Sequence, residues 1–146
     1  MAQKVSDVMH PGVETVRPDN SVRRAASIMQ AADIGPLPVC DGDRLIGIVT
    51  DRDITVRAVA AGRDPGSTPV RDVMTRDIVY VRADQDVDDA IELMRRHEVR
   101  RLPVVDGDRL VGMVALADLA RKTDEQRQAA ALEGVSQVSE TETDVP

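Results

Sequence analysis

Thr50 and Asp53 stand three residues apart, directly behind the apolar run Leu45 to Val49. A carboxylate only accepts hydrogen bonds and can satisfy two adjacent hydroxyl donors, whereas a threonine hydroxyl both donates and accepts. The pair could therefore hold a ligand that carries neighbouring hydroxyls. The same spacing is that of a capping box, with Thr50 closing the start of a helix and Asp53 in its first turn. The two roles are compatible, because a helix N-terminus also attracts phosphate. A second group is Arg100-Arg101, which follows Arg95, Arg96 and His97. Guanidinium presents a rigid fork of donors that fits phosphate oxygens, although a solvated basic helix face would have the same composition. Arg52, between Thr50 and Asp53, is a further cationic candidate.

Other reactive residue types are too isolated to suggest chemistry. His10 and His97 have no Cys or His at metal-ligand spacing. Met9, Met29, Met74 and Met94 fall at corresponding positions of a repeat described below, which marks them as core rather than as a soft-metal site. Cys40, the single cysteine, lies in the apolar run Leu37 to Cys40 and reads as a small buried hydrophobe. No nucleophile is paired with a base, and neither a Walker loop nor a GxGxxG turn is present. The sequence is not read as that of an enzyme.

Composition narrows the partners. The 146 residues carry a formal charge of −7, with 31% charged residues, which disfavours nucleic acid and anionic membranes. Aromatic residues make up 1% of the chain, Tyr80 being the single one, so a base cannot be held between stacked rings. No apolar run approaches the roughly 20 residues needed to span a bilayer. The start, MAQKVSDVM, lacks the apolar centre of a signal peptide, and a cytoplasmic location is expected.

The elements that must position these residues occur twice. Residues 5–54 align without a gap on residues 70–119: VSDVM recurs as VRDVM, and LPVCDGDRLIGIV as LPVVDGDRLVGMV. Each copy opens with a short capped turn and a brief β segment, around Glu14 to Val16 or Val79 to Val81. Asp19 or Asp84 then signals a helix, whose apolar face is Val22, Ala25, Ala26 and Met29 or Val87, Ala90, Ile91 and Met94. Asp-Gly between apolar runs announces a hairpin in both copies. A last helix is expected from about Arg52 to Ala61, and from about Ala117 towards Ala131. The expected fold is α+β, two β-α-β-β-α units in tandem: residues 1–62, a Pro- and Gly-rich linker at 63–69, and residues 70–122. Residues 123–146 are expected to finish the last helix and continue as an acidic tail, disordered beyond about Gly134 for want of apolar periodicity.

The tandem VxDVM openings, the LPVxDGDRLxGxV hairpins and the following TDRD resemble a pair of CBS domains, the Bateman module, over about Val5 to Lys122. The string DIGPLPVCDGDRLIGIVTDRDITVRAVAAGRDP is similar to stand-alone bacterial pairs of the hypoxic-response or stress-response type. The resemblance implies two repeats packed through their sheets with pseudo-twofold symmetry, clefts that bind adenosine-containing ligands such as AMP or ATP, and a homodimer. S-adenosylmethionine or NAD would change only the ligand. It further implies that Thr50 and Asp53 hold a ribose, that Arg100 and Arg101 face the phosphates of the neighbouring cleft, and that Asp118 is the second ribose carboxylate. Ala115 stands where Thr50 stands in the first copy, so the second cleft is expected to be the weaker. With no rings to use, the base is expected against Val13 to Val16 and Ile34 to Leu37, including Val13, Val16, Ile34 and Pro36. Such a module would signal to a separate regulated protein. The alternative is an interaction scaffold whose clefts have lost binding.

Overall fold

The computed structural model describes residues 3–135, and the α+β expectation holds. In the first copy α1 (Val5–Val8), α2 (Val22–Ala32), β1 (Pro36–Asp41), β2 (Arg44–Thr50) and α3 (Asp51–Ile54) follow in order, α3 running on as a π-helical turn, Thr55–Val59. The second copy has a 3₁₀ turn at Val70–Asp72, then β3 (Val81–Arg82), α4 (Val87–His97), β4 (Arg101–Asp106), β5 (Arg109–Ala115) and α5 (Leu116–Val135). The expected tail beyond Val135 lies outside the described residues.

Both hairpins turn on Asp-Gly, where Gly42 and Gly107 take φ of 65° and 67°, a left-handed conformation that costs glycine little. Each hairpin has its register shift at the corresponding place, between Val39 and Cys40 and between Val104 and Val105. The hairpins join into one five-stranded sheet of order β1-β2-β5-β4-β3. Their junction is reciprocal: Leu45 N–H donates to Asp108 O at 2.9 Å and Leu110 N–H to Asp43 O at 2.9 Å, as a pseudo-twofold axis requires.

Two local expectations are corrected. The caps of α2 and α4 are Ser21, which accepts from Arg24 N–H at 3.1 Å, and Asp86, not Asp19 and Asp84. Asn20 and Gln85 close a preceding turn by accepting from the N–H groups of Arg17 and Arg82, both at 2.9 Å, and this pushes each helix start two residues onward. The first β segment is likewise shorter than expected: Val16 makes a single parallel bridge to Val39, and only Val81–Arg82 forms a strand in the second copy.

The two cores exchange their opening segments. Val70, Val73 and Met74 pack in the first hairpin's core with Val22, Leu37 and Val49, while Val5 and Val8 pack in the second with Val87, Leu102 and Val114. Thr75 and Ile48 trade backbone hydrogen bonds at 2.7 and 2.9 Å, and His10 and Met113 do so at 2.8 and 3.0 Å. Gly47 and Gly112 permit this approach, since a Cβ there would lie 2.8 Å from Met74 Sδ or 2.7 Å from Met9 Sδ. Each fully buried valine or leucine contributes about 1.5–3 kcal/mol, so the exchange binds each repeat firmly to the other's opening.

Candidate ligand cavity between the repeats

The β2–α3 junction is fixed by a reciprocal cap. Thr50 Oγ1 accepts from Asp53 N–H at 3.0 Å, and Asp53 Oδ2 accepts from Thr50 N–H at 3.0 Å. Asp53 is 8% exposed, and its carboxylate also receives the Thr75 hydroxyl, 3.3 Å from each oxygen. Arg57 lies 4.0 Å from Asp53 and donates to the carbonyls of Val73 and Met74 at 3.3 and 3.2 Å. Asp53 thus ties the first copy's last helix to the second copy's opening segment.

Above this junction opens a cavity of about 840 Å³. One wall comes from the first hairpin and its helix: Gly35, Pro36, Ile48, Thr50 and Asp51. The exchanged opening segment supplies Thr75, Asp77, Ile78 and Val79. The far wall is Val99 to Pro103, Met113, and the β5–α5 junction through Ala115, Leu116, Ala117 and Ala120. Its charged lining residues are Arg100, Arg101, Asp51 and Asp77. The start of the 20-residue helix α5 adds the positive end of a helix dipole to the arginine side.

Of the residues singled out from sequence, this cavity brings together Thr50, Pro36, Arg100 and Arg101. Asp53 sits beneath Thr50 rather than in the lining, and Arg52 is exposed beside it. Val16 is buried against Val39, Ile34 packs on the first core, and Val13 lies elsewhere than in the lining. Val16 is taken up by β1, bonding to Pro38 and Cys40, and the exchanged opening segment brings Asp77 to Val79 into the lining in place of Val13 to Val16. Ile78 is the repeat counterpart of Val13, so the residue type was legible and the copy was not. Asp51 and Thr75 were missed altogether. Asp51 belongs to the TDRD string, whereas Thr75 gave no signal without the exchange.

Asp118 lies in the second copy's corresponding junction. His10 Nε2 is 2.7 Å from its Oδ2, and Arg121 is 2.9 Å from Oδ1. The His10 hydrogen bond holds the Asp118 carboxyl below its ordinary range, partial burial opposing it and the charges of His10 and Arg121 adding to it. Cys40 is pushed up to about 11, chiefly by burial and then by Asp43, which keeps it a protonated thiol at neutral pH. Among the described residues no group of three or more His, Cys, Asp or Glu is placed to hold a metal ion, and no helix is long and apolar enough to cross a membrane.

Comparison with known proteins agrees with this architecture. The CBS domain matches residues 5–59 and again residues 70–125. The CBS domain-containing protein YhcV of Bacillus subtilis (strain 168) is 46% identical over 116 residues, covering 80% of this chain and 82% of its own. Hypoxic response protein 1 of Mycobacterium tuberculosis (strain ATCC 25618 / H37Rv) is 42% identical over 116 residues, covering 79% and 81%. A crystal structure of Hypoxic Response Protein I with two coordinated zinc ions has a TM-score of 0.74 at 42% identity, covering 82% of this chain and 98% of that one. CBSX2 in complex with AMP superimposes with a TM-score of 0.73 at 27% identity over 85% of this chain and 98% of its own. The CBS pair of MJ0100, in complex with 5-methylthioadenosine and S-adenosyl-L-methionine, has a TM-score of 0.72 at 28% identity over 86% and 99%. Two family matches across most of the chain, on a fold in which the repeats complete each other's cores, place this protein in the CBS-domain family as a tandem pair.

Proposed function

We propose that the protein is a regulatory module that binds an adenosine-containing ligand in the cavity between its repeats. The observation that carries this reading is the arrangement of unlike walls around about 840 Å³, a volume within the usual range for small-molecule sites. Pro36, Ile78 and Val79 offer an apolar surface for a base, while Arg100, Arg101 and the start of α5 offer donors and positive charge for an anionic group. Thr50 and Thr75 line the space between, with Asp53 directly behind them as an acceptor for ribose hydroxyls. The relatives bound to AMP and to 5-methylthioadenosine with S-adenosylmethionine support the adenosine class. Regulation then requires that the ligand bind two conformations of the pair unequally, with a separate protein reading the difference.

Calorimetry with AMP and adenosine tests the site. Arg100→Ala together with Arg101→Ala should weaken AMP markedly and adenosine little, since adenosine has no phosphate to lose. Equal weakening of both would place the arginines outside the site. A scaffold without ligand is the second reading, favoured by Ala115 in place of a hydroxyl and by the engagement of Asp118 with His10. It predicts no heat and no rise in melting temperature with any adenosine derivative.

A further inference from the structure

We infer that the cavity selects adenosine derivatives carrying at most one phosphate, because Asp51 and Asp77 offset the charge of Arg100 and Arg101. The inference rests on the ligand reading above and goes beyond it to the charge of the ligand. Size does not limit the phosphate count, since the cavity is near the upper part of the range that small-molecule sites occupy. Charge does. The lining holds two arginines and two aspartates, so its formal side-chain charge is balanced before the ligand enters. Behind Thr50 stands a third carboxylate, Asp53, with Arg57 at 4.0 Å as its ion-pair partner.

Asp51 is held in place at this wall. Its N–H donates to Gly35 O at 3.1 Å, and one carboxylate oxygen accepts from Arg52 N–H at 2.9 Å. The carboxylate also rests against Gly35, where even an added Cβ would come within 3.4 Å of it. Asp77 reaches the lining on the exchanged opening segment, next to Ile78 and Val79. Their counterparts in the other copy are Leu116 and Gly12, so neither carboxylate is imposed by the repeat. A first phosphate can be met by the arginines and the α5 terminus. Each further phosphate adds negative charge that only the aspartates remain to face, and like charges within one site disfavour each other.

The test is calorimetry with adenosine, AMP and ATP in metal-free buffer at low ionic strength, where screening is weakest. The wild-type protein should bind AMP about fivefold or more tighter than ATP, and Asp51→Asn with Asp77→Asn should move the ATP-to-AMP affinity ratio towards ATP by about five- to tenfold. Both side chains are exposed and asparagine keeps their shape, and a melting curve checks that the variant is folded. ATP binding tighter than AMP in the wild type overturns the inference while leaving the adenosine reading intact, as does equal improvement of both nucleotides in the variant. Failure of all three ligands to bind overturns both.

Discussion

His10 Nε2 lies 2.7 Å from Asp118 Oδ2, at the place where, in the other repeat, the Thr75 hydroxyl meets Asp53. Each contact fastens one repeat's opening segment to the first turn of the other repeat's last helix. The two fasteners differ in kind. Thr75 offers a neutral donor to a buried carboxylate, while His10 offers a ring N–H to a carboxylate 21% exposed.

The Asp118 fastener should make stability depend on acid pH. Its carboxyl is lowered from 3.8 in the folded protein, so its contribution is fully present above that value and is lost as pH falls through the folded value. The difference in melting temperature between the wild-type protein and Asp118→Asn should therefore shrink as pH is lowered from about 5 to about 3. A difference that widens over that interval would mean that Asp118 does not gain its stability as an anion.

Close approach of the exchanged openings predicts an unusual cost for a methyl group. At Gly112 an added Cβ would sit 2.7 Å from Met9 Sδ and 2.9 Å from the carbonyl oxygen of His10, and the carbonyl cannot swing aside as a side chain can. Gly112→Ala and Gly47→Ala should each destabilise by about 1–3 kcal/mol, read from urea denaturation. Gly12→Ala, with nothing within 4 Å of the new carbon, is the control and should change little. Equal effects at all three glycines would show that helix or strand propensity, rather than the crossing, sets the cost.

The hairpins and helices were legible because Asp-Gly turns and apolar spacing act within a few residues of chain, and both act twice. Thr50, Arg100 and Arg101 were legible for the same reason, each lying beside a recognisable strand end. The exchange was not legible, because Val5 or Val70 has the same neighbours in sequence whichever hairpin it covers. Expecting Val13 to Val16 beside the cavity, where Asp77 to Val79 line it, follows directly from that. Only the three-dimensional crossing at Gly47 and Gly112 separates the two.

Val56 and Val59, 51% and 65% exposed, lie on the first copy's last helix, where the second copy has Arg121 and Asp124. Such an apolar face on a small module favours association, and light scattering should give about twice the 15.9 kDa chain mass. Val56→Arg with Val59→Asp installs the residues that the other repeat already tolerates, so the fold should survive. The variant should shift towards monomer. A wild-type monomer, or a variant dimer of unchanged affinity, would remove this face from the interface.

The two junctions should also differ in ligand binding. Both junctions border the described cavity, through Thr50 in the first copy and Ala115 in the second, and Ala115 lacks the hydroxyl. Each carboxylate behind them is already engaged, Asp53 by Thr75 and Arg57 and Asp118 by His10 and Arg121. Loss of a neutral hydroxyl's hydrogen bond costs about 0.5–1.5 kcal/mol, a few-fold to tenfold in affinity, so the second junction is expected to bind more weakly rather than not at all. A charged acceptor is worth more, about 1.5–3 kcal/mol. Asp53 also closes the helix, so its removal confuses binding with folding; Asp53→Asn keeps an acceptor for Thr50 N–H while removing the charge and one acceptor oxygen. Calorimetry with AMP should then show a tight event weakened roughly tenfold or more by Asp53→Asn and little altered by Asp118→Asn. Adding His10→Ala should release Asp118 and strengthen any weaker event. If Asp118→Asn removes the tight event while Asp53→Asn leaves it intact, the ligand is held at the second junction, and the cap formed by Thr50 and Asp53 serves the helix alone.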